Sequence, residues 1–280
     1  MNAWNGRGCG GFALTMGVIL GIFASARAAD PWADGVTGYS PGSTPVAGYT
    51  TAGVALGEPA RYTADPLFPS VVSMFSPAFG TDQIVSVGEG GQLTLRFDEP
   101  VVDNPANPFG VDLIVFGNSG FIDFNFPLGQ QGGSAGLFGN DVVTIELSAD
   151  GSSFVSLGSI SLGLFPTQGW LDVGPFDAAP GVAPSNFRQP VDPSFTLSSF
   201  NGLSYAQSLA LYNGSGGGTP IDLAGSGLPA ISYIRISVPD DGNPGTSRHA
   251  EIDAVSTVPE PASAALLLLA ALARPRRRGA

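Results

Sequence analysis

The sequence predicts an all-β fold, an antiparallel β-sandwich, and three observations carry that prediction. Short apolar runs recur between turn residues through residues 51–257, and several alternate strictly between apolar and polar positions. Glycine (40) and proline (24) are together about twice as frequent as usual in a 280-residue chain, yet they fall between the apolar runs and so mark turns rather than disorder. No part of residues 30–258 shows a convincing 3.6-residue apolar period, so no helix is expected within the domain.

The elements follow in order. Residues 30–50 (DPWADGVTGYSPGSTPVAGYT) are rich in Gly, Pro and Ser and read as a loosely ordered leading segment before a sandwich domain at 51–257. Residues 83–87 are the first strand candidate. A Gly90-Gly91 turn leads into QLTLRF (92–97), where Leu93, Leu95 and Phe97 face one way and Thr94 and Arg96 the other. DLIVFG (112–117) is almost continuously apolar, as in a strand buried on both faces. VVTIELS (142–148) turns Val143, Ile145 and Leu147 inward and Thr144 and Glu146 outward, and Asp150-Gly151 signals a hairpin into residues 153–157. Residues 159–230 are loop-rich, with weaker strands near 195–197 and 208–212. SYIRISV (232–238) points Ile234, Ile236 and Val238 inward and Tyr233 and Arg235 outward, and EIDAV (251–255) closes the domain. The outward Arg96 and Arg235 suit cross-strand pairs with acids.

Both ends read as targeting segments. Residues 1–29 have the order of a secretory signal peptide: Arg7, an apolar stretch at 12–24, then Ala26-Arg27-Ala28 as a small-x-small cleavage site. Cys9, the only cysteine, precedes the apolar stretch and would leave with it, so the mature chain would carry no disulfide and no thiolate metal ligand. Residues 258–280 join Pro259, Glu260 and Pro261 to an apolar run at 262–273 and a basic cluster of Arg274, Arg276, Arg277 and Arg278. That order resembles the PEP-CTERM sorting signal of bacterial surface proteins. The resemblance implies a secretion translocon and an exosortase-type sorting enzyme as partners, and a place in the cell envelope, at the cell surface or in the extracellular matrix. The apolar run, about 18 Å long as a helix against a hydrocarbon core of roughly 30 Å, suits transient membrane anchoring.

Charge narrows the partners. Residues 30–258 carry 22 acids and five arginines, a net charge of −17, and the chain has no lysine. Such a surface repels nucleic acid, excluded here as a partner, and attracts cations, with Ca²⁺ the usual choice for carboxylate and carbonyl oxygens. An acidic surface also serves solubility alone.

The catalytic constellations are sparse. His249 is the only histidine, which excludes a multi-histidine zinc site, and it reads as a surface residue of a polar loop. There is no nucleophile elbow, no phosphate loop and no dinucleotide fingerprint. A glycoside hydrolase needs only two carboxylates, about 5–10 Å apart, and 22 acids leave that open. Two acidic loops are candidate calcium ligands: Asp98 and Asp103 leading to Asp112, and Asp240 and Asp241 followed by Asp253. The same residues are favoured in turns for their side-chain to backbone hydrogen bonds. Trp170, in a loop, is the best candidate for stacking on a sugar.

The segments DLIVFGN (112–118), LSADGSSF (147–154) and DAV (253–255), taken together, resemble a β-sandwich module of PEP-CTERM surface proteins, over residues 85–257. That module is similar to galactose-binding-like (jelly-roll) folds. The expected function is a non-enzymatic surface or matrix module, calcium-stabilised and binding a glycan such as exopolysaccharide. The alternatives are a secreted glycan-processing hydrolase with a carboxylate pair, and a purely structural matrix protein.

Overall fold

In a computed structural model, residues 30–132, 136–243 and 248–259 are described. The strands are β1 (Gly35–Ser40), β2 (Val85–Gly88), β3 (Gln92–Val102), β4 (Leu113–Gly117), β5 (Gly120–Phe121), β6 (Leu137–Phe138), β7 (Asp141–Ser148), β8 (Val155–Leu162), β9 (Thr219–Ile221), β10 (Ala230–Ser237) and β11 (His249–Thr257). One sheet has the order β1-β3-β10-β7-β8 and the other β2-β11-β4-β9, and β5 and β6 form a small ribbon. Every pairing between these strands is antiparallel.

The alternation read from the sequence is what brings the two sheets together. Leu93, Leu95 and Phe97 of β3, Val143, Ile145 and Leu147 of β7, and Ile234 and Ile236 of β10 share one apolar cluster with Val85, Val87, Leu113, Val115, Ile252 and Val255 of the second sheet. β4 is buried on both faces, as expected. Leu113 and Val115 face this core, whereas Ile114 and Phe116 join Phe187, Ala254 and Val258 on the outer side. The outward Arg235 pairs across the sheet with Glu146, its register partner, through two contacts of 2.7 and 2.6 Å, and its guanidinium lies 3.9 Å over the Phe154 ring. Arg96 instead pairs with Asp98, two residues along its own strand.

Three expectations are corrected. The leading segment is not loose where it meets the domain: β1 pairs with β3, and Trp32 bridges Ser256. The weak strand expected at 208–212 is part of a helix, α1 (Tyr205–Tyr212). Ser204 and Gln207 close a capping box at its start, and Asn213 ends it in the left-handed conformation with φ 49°. The Ser-x-x-Gln spacing outweighs the short apolar alternation that reads as a strand. The weak strand expected at 195–197 lies in a loop that runs into a short 3-10 turn, Leu197–Phe200. The loop-rich part of the chain thus carries a second core, in which Met74, Phe75, Phe121, Phe165, Phe200, Tyr205 and Tyr212 pack together.

Among the described residues, both sheets and both cores lie within residues 30–259, and a fragment of this span is expected to fold by itself. Ile236 sits between Leu93 and Ile145 at the centre of the larger sheet and is fully buried. Ile236→Ala is expected to cost about 2–5 kcal/mol, read as a lower urea midpoint with an unchanged slope.

Candidate metal centre

β3 ends at Val102, and the chain turns back through Asp103-Asn104-Pro105 to enter β4 just after Asp112. Asp112 is completely buried. One of its oxygens accepts the Asn104 N–H at 3.0 Å and the Asn107 amide at 2.9 Å, and the other accepts the Leu223 N–H at 3.0 Å. Burial raises its carboxyl above the ordinary range, the three donors oppose that, and the neighbouring charge of Asp103 adds to the rise. Asp222 caps a short 3-10 turn (Leu223–Ser226) through the Ala224 N–H. Asp103, Asp112 and Asp222 each present a carboxylate oxygen, and the three lie within 4.8 Å of one another.

One neighbouring atom distinguishes this group from ordinary turn acids. Asn107 is 5% exposed, and its Oδ1 is buried with no hydrogen-bond partner among the described residues. Its Nδ2 binds Asp112, so the amide group adjoins one member of the cluster. Such an oxygen costs about 1–3 kcal/mol if left without a partner. A hard cation that takes six to eight oxygens would neutralise the three carboxylates together.

The structure sorts the other predicted ligands. Asp98 does not join Asp103 and Asp112: it is exposed, pairs with Arg96, and offers its N–H to Asp34 at 2.7 Å. Asp240 and Asp241 meet Glu89 rather than Asp253. They accept the N–H groups of Gly242 and Asn243, and Asp241 lies 3.6 Å from Arg248, so turn bonds and an ion pair account for them. Asp253 falls at a bulge in β11 and is buried, its two oxygens 3.0 and 3.3 Å from the Ala60 N–H.

Trp170 does not offer an open sugar platform. It is half-buried, its ring meets Tyr62 edge-on at 6.3 Å, and its indole nitrogen is enclosed. Arg61 lies beside it, 5.6 Å from the Trp170 ring and 4.2 Å from Phe187. Val258 and Pro259 are the residues of the predicted sorting tail inside the described span; Glu260, Pro261, Arg274, Arg276, Arg277 and Arg278 lie outside it.

Sequence reasoning missed Asp222, Glu89 and Asn107. Asp222 is far along the chain from Asp112, and its only local signal is that of a helix cap. A further acid group was also unforeseen. Asp141, at the start of β7, is pushed up to about 6 by burial and by Glu251; Glu251 is raised by its own burial and stands 3.4 Å from His249. His249 is the first residue of β11 rather than a loop residue. No family model matches this chain, and no curated protein matches it either.

Asp253 makes stability depend on pH. Burial lifts its carboxyl from 3.8 to about 7. Between those values the folded chain holds a proton that the unfolded chain releases, so stability falls as pH rises through this window and levels off above it. Asp253→Asn keeps an acceptor for Ala60. It is expected to raise the melting temperature at pH 8, change it little at pH 4, and flatten the profile between.

Proposed function

We propose that this protein is an exported, non-enzymatic β-sandwich module of the cell surface or extracellular matrix, stabilised by Ca²⁺ at Asp103, Asp112 and Asp222. The observation that carries the metal reading is the convergence of three carboxylates, one of them bonded by the buried Asn107 amide, whose oxygen has no partner among the described residues. The two antiparallel sheets around a common core support the finer reading of a galactose-binding-like jelly roll.

The ends of the domain support the sorting reading. The Thr257 N–H donates to the Pro31 carbonyl at 2.7 Å, and the Ala33 N–H to Val255 at 3.2 Å. The chain therefore enters and leaves the sandwich side by side. The stretches read as a signal peptide and as a PEP-CTERM signal lie beyond that closure, so removal of either leaves both sheets whole. An exosortase-type enzyme and the secretion translocon are the partners this reading supplies.

Millimolar Ca²⁺ is expected to raise the melting temperature by several degrees over EDTA, since a ligand at a hundred times its Kd stabilises by about 2.7 kcal/mol. Asp222→Asn, which retains the cap, is expected to abolish that shift; equal melting temperatures in Ca²⁺ and EDTA would reject the metal reading. For the sorting reading, the intact mass of the protein from the producing cell's envelope is expected to lack Arg276, Arg277 and Arg278, and their recovery would overturn it.

A further inference from the structure

Of the arginines among the described residues, Arg61, Arg96, Arg235 and Arg248 each pair with a carboxylate. Arg188 does not. Its Nε donates to the Thr257 carbonyl at 3.3 Å, which fixes the guanidinium plane, and its terminal nitrogens have no partner among the described residues. The side chain is half-buried in a domain of net charge −17, where acids to pair with are plentiful. Leaving a partly desolvated guanidinium unpaired costs stability.

Arg188 lines the cavity of about 530 Å³. That volume lies within the roughly 300–1,000 Å³ of small-molecule sites. Phe109 and Phe195 supply apolar ring surface, and Asn186, Asn213 and Asp192 supply polar edges. The Asn186 and Asp192 oxygens that are engaged bind the nearby N–H groups of Arg188 and Ser194. Asp192 is the cavity's only acid among the described residues, and it lies outside ion-pair distance of Arg188. Phe109 adds an independent sign. It is 56% exposed and held at φ 59°, ψ 14°, a left-handed conformation that is costly for a bulky side chain. Strain of this kind gathers at ligand clamps.

We infer that this cavity binds a sugar acid, a hexuronate unit of an acidic polysaccharide. Its carboxylate takes the forked guanidinium of Arg188, its hydroxyls take Asn186, Asn213 and Asp192, and its C–H face lies on Phe109. The planar fork matches a carboxylate in two parallel hydrogen bonds, which makes the acid the recognised group. The negative domain repels a polyanion at long range, but at physiological salt that repulsion is screened beyond about 8 Å, and the contact with Arg188 is made inside the cavity. The site shares no ligand with the metal centre and does not depend on that reading.

The test is calorimetric titration of residues 30–259 with a galacturonate trisaccharide and with the same trisaccharide methyl-esterified, in EDTA and again in millimolar Ca²⁺. The acid is expected to bind saturably and the neutral ester at least tenfold more weakly. Arg188→Gln is expected to lose at least tenfold. Phe109→Gly, which accepts the left-handed conformation, is expected to weaken binding several-fold with a melting temperature no lower than that of the parent. Equal binding of acid and ester, wild-type binding by Arg188→Gln, or no saturable heat from the acid in either buffer would overturn the inference. The EDTA arm keeps its outcome separate from that of the metal centre.

Discussion

The buried carboxylate of Asp112 ties the domain's chemistry to its fold. Its three donors come from two loops that are distant in sequence: Asn104 and Asn107 before β4, and Leu223 after β9. A neutral apolar residue there would leave all three donors without partners in the interior, at about 1–3 kcal/mol each. The same bonds set the positions of Asp103 and Asp222, and the turn that presents Phe109 lies inside the loop they pin. The energetic tension is plain: burial opposes the charge that makes Asp112 a good acceptor, and two more acids stand close by. A bound cation removes that opposition, because all three carboxylates can then be ionised together.

The sheets were legible in the sequence because alternation is a local property. Leu93-Thr94-Leu95-Arg96-Phe97 alternates with a period of two, and each apolar member lies in the shared core. The near-continuous run of β4 announced burial on both faces for the same reason. Other features failed for lack of a local pattern. β1 has no apolar alternation; the edge of β3 orders it. The second core is assembled from single aromatics spread from Phe75 to Tyr212, each of which looks like a loop residue in its own context. α1 did have a signal, the Ser-x-x-Gln cap, and its short apolar segment was read with the wrong period.

The candidate sites divide along the same line. Asp103 and Asp112 were legible because one loop holds both, and Asp98 was drawn in by the same proximity although its strand position points it to Arg96. Asp222 was invisible because sheet topology, not spacing, brings β9 beside β4. Trp170 shows the converse error. An aromatic in a Gly- and Pro-rich loop reads as exposed, but here the loop is packed, and Arg61 and Tyr62 cover the ring.

Arginine use gives the last step. A chain with no lysine and 22 acids over residues 30–258 has few cations to place, and four of the five arginines there each meet an acid. If pairing alone governed their placement, Arg188 would have an acid as well, since Asp30, Asp34 and Glu99 line the smaller cavity that it also borders. It is instead anchored through Nε to a backbone carbonyl, and its terminal nitrogens have no partner among the described residues. Phe109, which faces the same cavity, follows Asn107 by two residues in the loop that Asp112 fixes. The loop between β3 and β4 thus carries two unlike chemistries two residues apart, Asn107 bonded to the acid cluster and Phe109 lining the cavity.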